Sequence, residues 1–163
     1  VRVYLALTPA GLAAARDAGS VDVAVGYAVT PALREWYVEG DIEELEHAAA
    51  SAAARACLRL LAAEPSDPRR VVLAADVSDG RPAPDLDRAA VRLSGPVRWQ
   101  DVESGLVDDA EAAPDVRRAL AVVAAADAGD DDAQFVVDSV EDHALGWYAR
   151  AELDRTDVTD LGG

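Results

Sequence analysis

The sequence predicts an α+β fold: a single-domain layer sandwich with a mixed, largely antiparallel sheet, approximately ferredoxin-like. Three observations carry this expectation. An alanine-rich helical stretch runs from Thr30 to Glu64, strand-like runs lie on both sides of it, and the later strand runs are joined by connections too short for crossover helices. At 163 residues and 51% hydrophobic content, the chain suits one buried core rather than two. Residues 1–153 are therefore expected to form the domain, and 154–163 a polar, frayed C-terminal tail.

In chain order, Arg2 to Thr8 alternates, with Val3, Leu5 and Leu7 to one side and Arg2, Tyr4 and Ala6 to the other, as a half-buried strand does. Thr8-Pro9 starts a helix that Gly19 and Ser20 end, and a second strand is expected over Asp22 to Val29. Thr30-Pro31 is a further helix start, because the Thr hydroxyl accepts from an orphan N–H and Pro is tolerated at the first helical position. This short helix runs to about Glu39, where Gly40 is expected to supply a left-handed closure.

Asp41 with Glu44 is a capping-box-like pair, and the principal helix follows to about Ala63. Glu44, His47, Ser51, Arg55 and Arg59 form a polar stripe along it, while Leu45, Ala49, Ala52, Ala56 and Leu60 form the expected buried seam. Pro65 and Pro68 end it. Val71 to Val77 is a nearly continuous apolar run suited to a central strand buried on both faces.

Asp76 to Asp87 reads as a surface loop, Ala89 to Ser94 and Val97 to Trp99 as strands, and Gly105 to Asp108 as a brief strand at best. Ala110 to Ala126 is a helix with Val116, Leu120, Val123 and Ala124 on one face, and Gly129 to Asp132 an acidic loop. Gln134 to Val140 suits strand and short helix equally. From Leu145 the alternation through Trp147, Ala149, Ala151 and Leu153 argues for a last strand.

The formal net charge is -16, and all fifteen basic residues are Arg because the chain contains no Lys. Nucleic acids and anionic membranes attract clustered positive charge, so neither is an expected partner. The absence of Lys, Asn and Met matches the codon skew of a GC-rich genome. Salt adaptation also gives an acidic, Lys-free surface, but the fifteen Arg residues retain positive charge that such a surface sheds. A start at Val1 suggests a removed initiator or a valine start codon read literally. One cysteine, Cys57, forms no intramolecular disulfide. With no basic and apolar leader at the first residues and no long apolar run, a cytoplasmic location is expected.

Asp130, Asp131 and Asp132, with Asp138, Glu141, Asp142 and His143, are the densest set of oxygen ligands for a hard cation, with His143 adding a nitrogen. Their spacing matches no calcium loop, and adjacent aspartates commonly serve as helix caps. His47 and Cys57 stand about 15 Å apart along one helix and form no dyad. The chain carries no GxSxG elbow, glycine-rich phosphate loop or HExxH helix. Four of its eight aromatic residues sit in the pairs Trp36-Tyr37 and Trp147-Tyr148. Packing accounts for one member of each pair, and the others are candidates for a shared ligand groove formed by Arg34, Glu35, Trp36, Tyr37, Asp142, His143, Trp147 and Tyr148.

The segments RVYLALT, AVTPALREWY, EELEHAA to RLLA, RRVVLAADV, GDDDAQFVVD and EDHALGWYA together resemble a family of small actinobacterial proteins built on a domain of unknown function. The resemblance extends to about Leu153. It implies membership and a high-GC bacterial source, and assigns no activity, cofactor or partner.

The functional expectation is a non-enzymatic cytoplasmic interaction or regulatory module, engaging a homodimer mate or another protein. The alternative is a small-molecule enzyme or metal-binding protein using residues 130–143.

Overall fold

A computed structural model describes residues 1–64, 67–157 and 160–161. The elements run β1 (Arg2–Leu7), α1 (Pro9–Ala18), β2 (Ser20–Val21), β3 (Val25–Tyr27), α2 (Pro31–Trp36), α3 (Ile42–Ala63), β4 (Val71–Asp76), β5 (Arg81–Pro82), β6 (Ala90–Arg92), β7 (Val97–Arg98), β8 (Val102–Val107), α4 (Ala113–Asp127), α5 (Asp131–Ser139), β9 (Gly146–Ala149) and α6 (Arg150–Arg155). Among the described residues, one sheet has seven strands in the order β5-β6-β3-β1-β4-β8-β9, and β2 with β7 forms a separate pair.

The class is α+β, as expected, but every pairing is antiparallel, so the sheet is not mixed between neighbours. Nor is the ferredoxin-like order reproduced. β3 and β4 both run antiparallel to β1, which lies between them, so one split β-α-β unit is present and the remaining strands extend the sheet on both sides.

The period-2 pattern of the central strands sends alternate residues to two cores. Val3, Leu5 and Leu7 of β1 with Val71 and Leu73 of β4 face α1 and α6, while Tyr4, Ala6, Val72 and Ala74 face α2 and α3. β4 is interior, between β1 and β8, as its apolar run predicts. A third cluster joins the C-terminal end of α3, through Leu58 and Leu61, to Val116 and Ala119 of α4 and Val137 of α5.

Local signals place the helix starts. Thr8, Thr30 and Asp41 each accept from a backbone N–H of the first turn, at 3.0, 3.1 and 2.9 Å. Gly19, at φ 77°, closes α1 in the left-handed conformation. Gly40 does not act this way: α2 ends a turn earlier, where the Tyr37 N–H reaches the Leu33 carbonyl at 3.1 Å.

The buried seam of α3 is Leu45, Ala49, Ala53, Cys57 and Leu61 rather than the row through Ala52, Ala56 and Leu60. Because Leu58 must also meet α4, the apolar arc rotates along the helix and leaves Leu60 44% exposed. β8 is a full six-residue interior strand, not a brief one. The last strand stops at Ala149, and the stretch expected to continue it becomes α6.

The expected tail boundary thus falls inside α6. Leu161 returns to the core at 3% exposure, its carbonyl accepting from Arg69. Pro65, invoked as a helix stop, and residues 158–159 and 162–163 of the expected tail lie outside the described residues.

Candidate functional site: a groove floored by α3

The polar stripe of α3 divides into two halves with different work. Arg55 binds Asp138 of α5 at 2.8 Å, and Arg59 makes a bidentate pair with Asp127 of α4 at 2.8 and 3.0 Å, so the C-terminal half clamps the α4–α5 hairpin. The Arg59 guanidinium holds the Asp127 carboxyl below the usual carboxylate range. The N-terminal half, Glu44, His47 and Ser51, is left as the floor of a surface groove.

This open groove, about 760 Å³, runs between α2, the start of α3 and the turn at Asp87–Ala89. Trp36 and Tyr37 supply its apolar wall, and Asp41, Glu43, Glu44, Asp87 and Glu141 its carboxylates. Among the described residues its one guanidinium is that of Arg88, which lies 3.6 Å from the centroid of the Trp36 ring. The turn is pinned from both ends. The Thr30 hydroxyl donates to the Arg88 carbonyl, and the Asp87 carboxylate accepts from the Ala89 N–H at 2.9 Å.

His47, Ser51 and Glu141 are shared with a second, more enclosed cavity of about 500 Å³, bounded by Arg55, Asp142, His143, Leu145 and Leu106. Arg70 lies at its base. It is paired with Asp108 at 2.8 and 2.9 Å and donates to the His143 carbonyl at 3.1 Å, which fixes the backbone of the cavity wall. The His143 ring places Nε2 2.6 Å from the carboxylate of Asp115 on α4. An ionised carboxylate only accepts, so the imidazole donates from Nε2, and in the neutral ring Nδ1 is the acceptor.

The residues expected to share one site do not converge on one place. Trp36 and Tyr37 line the open groove, and Asp142 and His143 the enclosed cavity joined to it through His47 and Ser51. Arg34 and Glu35 are exposed on α2 and line neither.

Trp147 pairs with Leu106 on the edge strand β9 and lines neither the open groove nor the enclosed cavity. Tyr148 points to the opposite face and packs on the α1–α6 core. The second aromatic pair therefore stands apart from the groove, because adjacent strand residues face opposite ways and β9 is the far edge of the sheet.

The proposed metal ligands are likewise not gathered. Asp130 caps α5 by accepting from the Ala133 N–H at 2.8 Å, and Asp131 and Asp132 occupy its first turn, where the helix dipole favours carboxylates. His143, beyond the other end of that helix, is held by Asp115 instead. Among the described residues, no three His, Cys, Asp or Glu side chains are placed to hold a metal ion together.

Sequence reasoning missed the roles of Arg88, Asp87, Asp115 and the Arg70–Asp108 pair, whose partners lie far away in sequence or carry no local spacing signal. The α3 stripe was the available signal for the groove floor. Among the described residues, no helix is long and apolar enough to cross a membrane. No curated protein and no solved structure matches the chain. A family profile does match it, over residues 1–156, and the chain belongs to that family, the family of unknown function DUF6912.

Proposed function

We propose that the chain is a non-enzymatic protein-interaction module whose docking face is the α2–α3 corner. The observation that carries this reading is the run of exposed apolar residues there. Trp36 is 61% exposed, and Tyr37, Val38 and Ile42 stand beside it in solvent. Single exposed apolar side chains are ordinary, but a contiguous patch led by aromatics is the composition of a binding hot spot.

Affinity capture from native cell extract tests this, comparing the wild type with Trp36→Ala/Val38→Ser and with Phe135→Ala, which removes an exposed aromatic elsewhere. The expected result is a partner retained by the wild type and Phe135→Ala and lost from the double variant. An identical set of proteins on all three baits would overturn the assignment.

A second reading, acid–base chemistry on a small molecule, is favoured by the Asp115–His143 pair at the enclosed cavity. Imidazole nitrogen resonances of His143, followed through a panel of metabolites and divalent cations, test it. A panel that leaves them unmoved counts against this reading.

A further inference from the structure

The open groove also indicates what chemistry a partner would present to it. This step rests on the docking face just proposed and concerns only the occupant. Five carboxylates line the groove against the single guanidinium of Arg88. None of the five carboxylates is ion-paired to an Arg among the described residues. Arg88 itself makes none of those ion pairs and is instead stacked on Trp36 at 3.6 Å. Asp41 and Asp87 accept backbone N–H groups and Glu43 and Glu44 stand in the first turn of α3, yet no guanidinium among the described residues neutralises any of them. The groove is thus an aromatic platform with an excess of acid around it, on a chain of net charge -16.

We propose that this groove binds an arginine-bearing segment of a partner protein, and that Arg88 is its intramolecular placeholder. A guanidinium suits the site better than an ammonium. It is planar, it is weakly hydrated, it stacks on an indole, and its fork matches carboxylates two at a time. The stack of Arg88 on Trp36 shows the platform accepting that group. Because the Arg88 backbone is held by Thr30, only its side chain need swing away for an incoming arginine to take the ring. The negative field of the chain favours approach of such a segment.

The test is calorimetry with a short, blocked peptide carrying two adjacent arginines, and its citrulline counterpart, which keeps the shape and removes the charge. Wild type, Trp36→Ala and Arg88→Ala are compared at one fixed salt concentration, with urea midpoints confirming that each is folded. The arginine peptide is expected to bind, the citrulline peptide at least tenfold more weakly, and Trp36→Ala to lose about tenfold. Arg88→Ala is expected to bind severalfold more tightly, since the placeholder no longer competes.

Equal binding of both peptides, or binding unchanged by Trp36→Ala, would overturn the guanidinium site. Weaker binding by Arg88→Ala would overturn the placeholder. If neither peptide binds while the capture experiment still depends on Trp36 and Val38, the docking face stands and its occupant is of different chemistry. Failure of both experiments removes both.

Discussion

Arg70 and Asp108 form a bidentate pair, at 2.8 and 2.9 Å, sealed between the start of β4 and the end of β8. Their side chains are 4% and 0% exposed, and the Asp108 carboxylate also accepts the Arg70 backbone N–H at 2.8 Å. Removing one member strands a buried charge, so Asp108→Ala is expected to cost about 3–5 kcal/mol. Arg70→Met/Asp108→Leu, which removes both charges, should recover most of that loss in urea unfolding. A double variant as unstable as the single would show that packing, not the unpaired charge, dominates.

Gly105 lies in β8 against α6. A Cβ built there would sit 2.9 Å from Leu153 Cδ1 and 3.3 Å from Leu73 Cδ2, so a side chain at this position must displace those buried methyls. Gly105→Val overpacks this contact and is expected to destabilise by about 1–3 kcal/mol. Adding Leu153→Ala should restore part of it, and a shift in thermal midpoint that ignores position 153 would refute the contact.

The same glycine explains what could be read from the sequence and what could not. β4 was legible because burial on both faces leaves an uninterrupted apolar run, and the helix starts because Thr8, Thr30 and Asp41 carry their caps locally. β1 was legible as a strand from its alternation, but it is buried on both faces rather than half-buried, because α2 and α3 cover the side that Tyr4 and Ala6 occupy. β8 was hidden: Glu103, Ser104 and Gly105 break its pattern, although tertiary pairing with β4 fixes it as a strand. The groove was legible in half. The α3 stripe and Trp36-Tyr37 are local signals, whereas Arg88 and Asp87 arrive through long-range folding that no spacing encodes.

Cys57 is fully buried on the sheet side of α3, its thiol donating to the Val71 carbonyl at 3.1 Å. Burial pushes the thiol up to about 11 from its ordinary value of 9.0. A thiol so placed is inert near neutrality, so a disulfide-exchange reagent at pH 8 is expected to label only the unfolded chain. Rapid stoichiometric labelling in native buffer would contradict this burial.

Alkaline stability follows with a defined sign. Burial raises Tyr4 and Tyr27 above their ordinary value of 10.0, in the same direction as Cys57. In the unfolded chain these groups lose their protons first, so above about pH 9 the unfolded state binds fewer protons than the folded one and stability falls as pH rises. Their contribution is complete below the unfolded values and is lost through the folded ones. Urea midpoints from pH 8 to 11 should therefore decline, and Cys57→Ser with Tyr27→Phe should flatten the decline. A midpoint that rises over this range would reverse the sign.

Thr30 links the fold to the groove through one hydroxyl, which accepts from the Leu33 N–H at 3.1 Å and donates to the Arg88 carbonyl. Thr30→Ala removes the cap of α2 and the pin on the Asp87–Ala89 turn together. The cap alone is worth about 0.5–2 kcal/mol, and stability is expected to fall within that range. Losing the pin should also free Arg88 from the Trp36 ring, which Arg88→Gln does while leaving the cap intact. Both variants are therefore expected to give the same change in the Trp36 indole resonance, but only Thr30→Ala should lower the unfolding midpoint appreciably. If Thr30→Ala loses stability and leaves that resonance where it was, the turn is held without the threonine, and Arg88 is seated on Trp36 by other contacts.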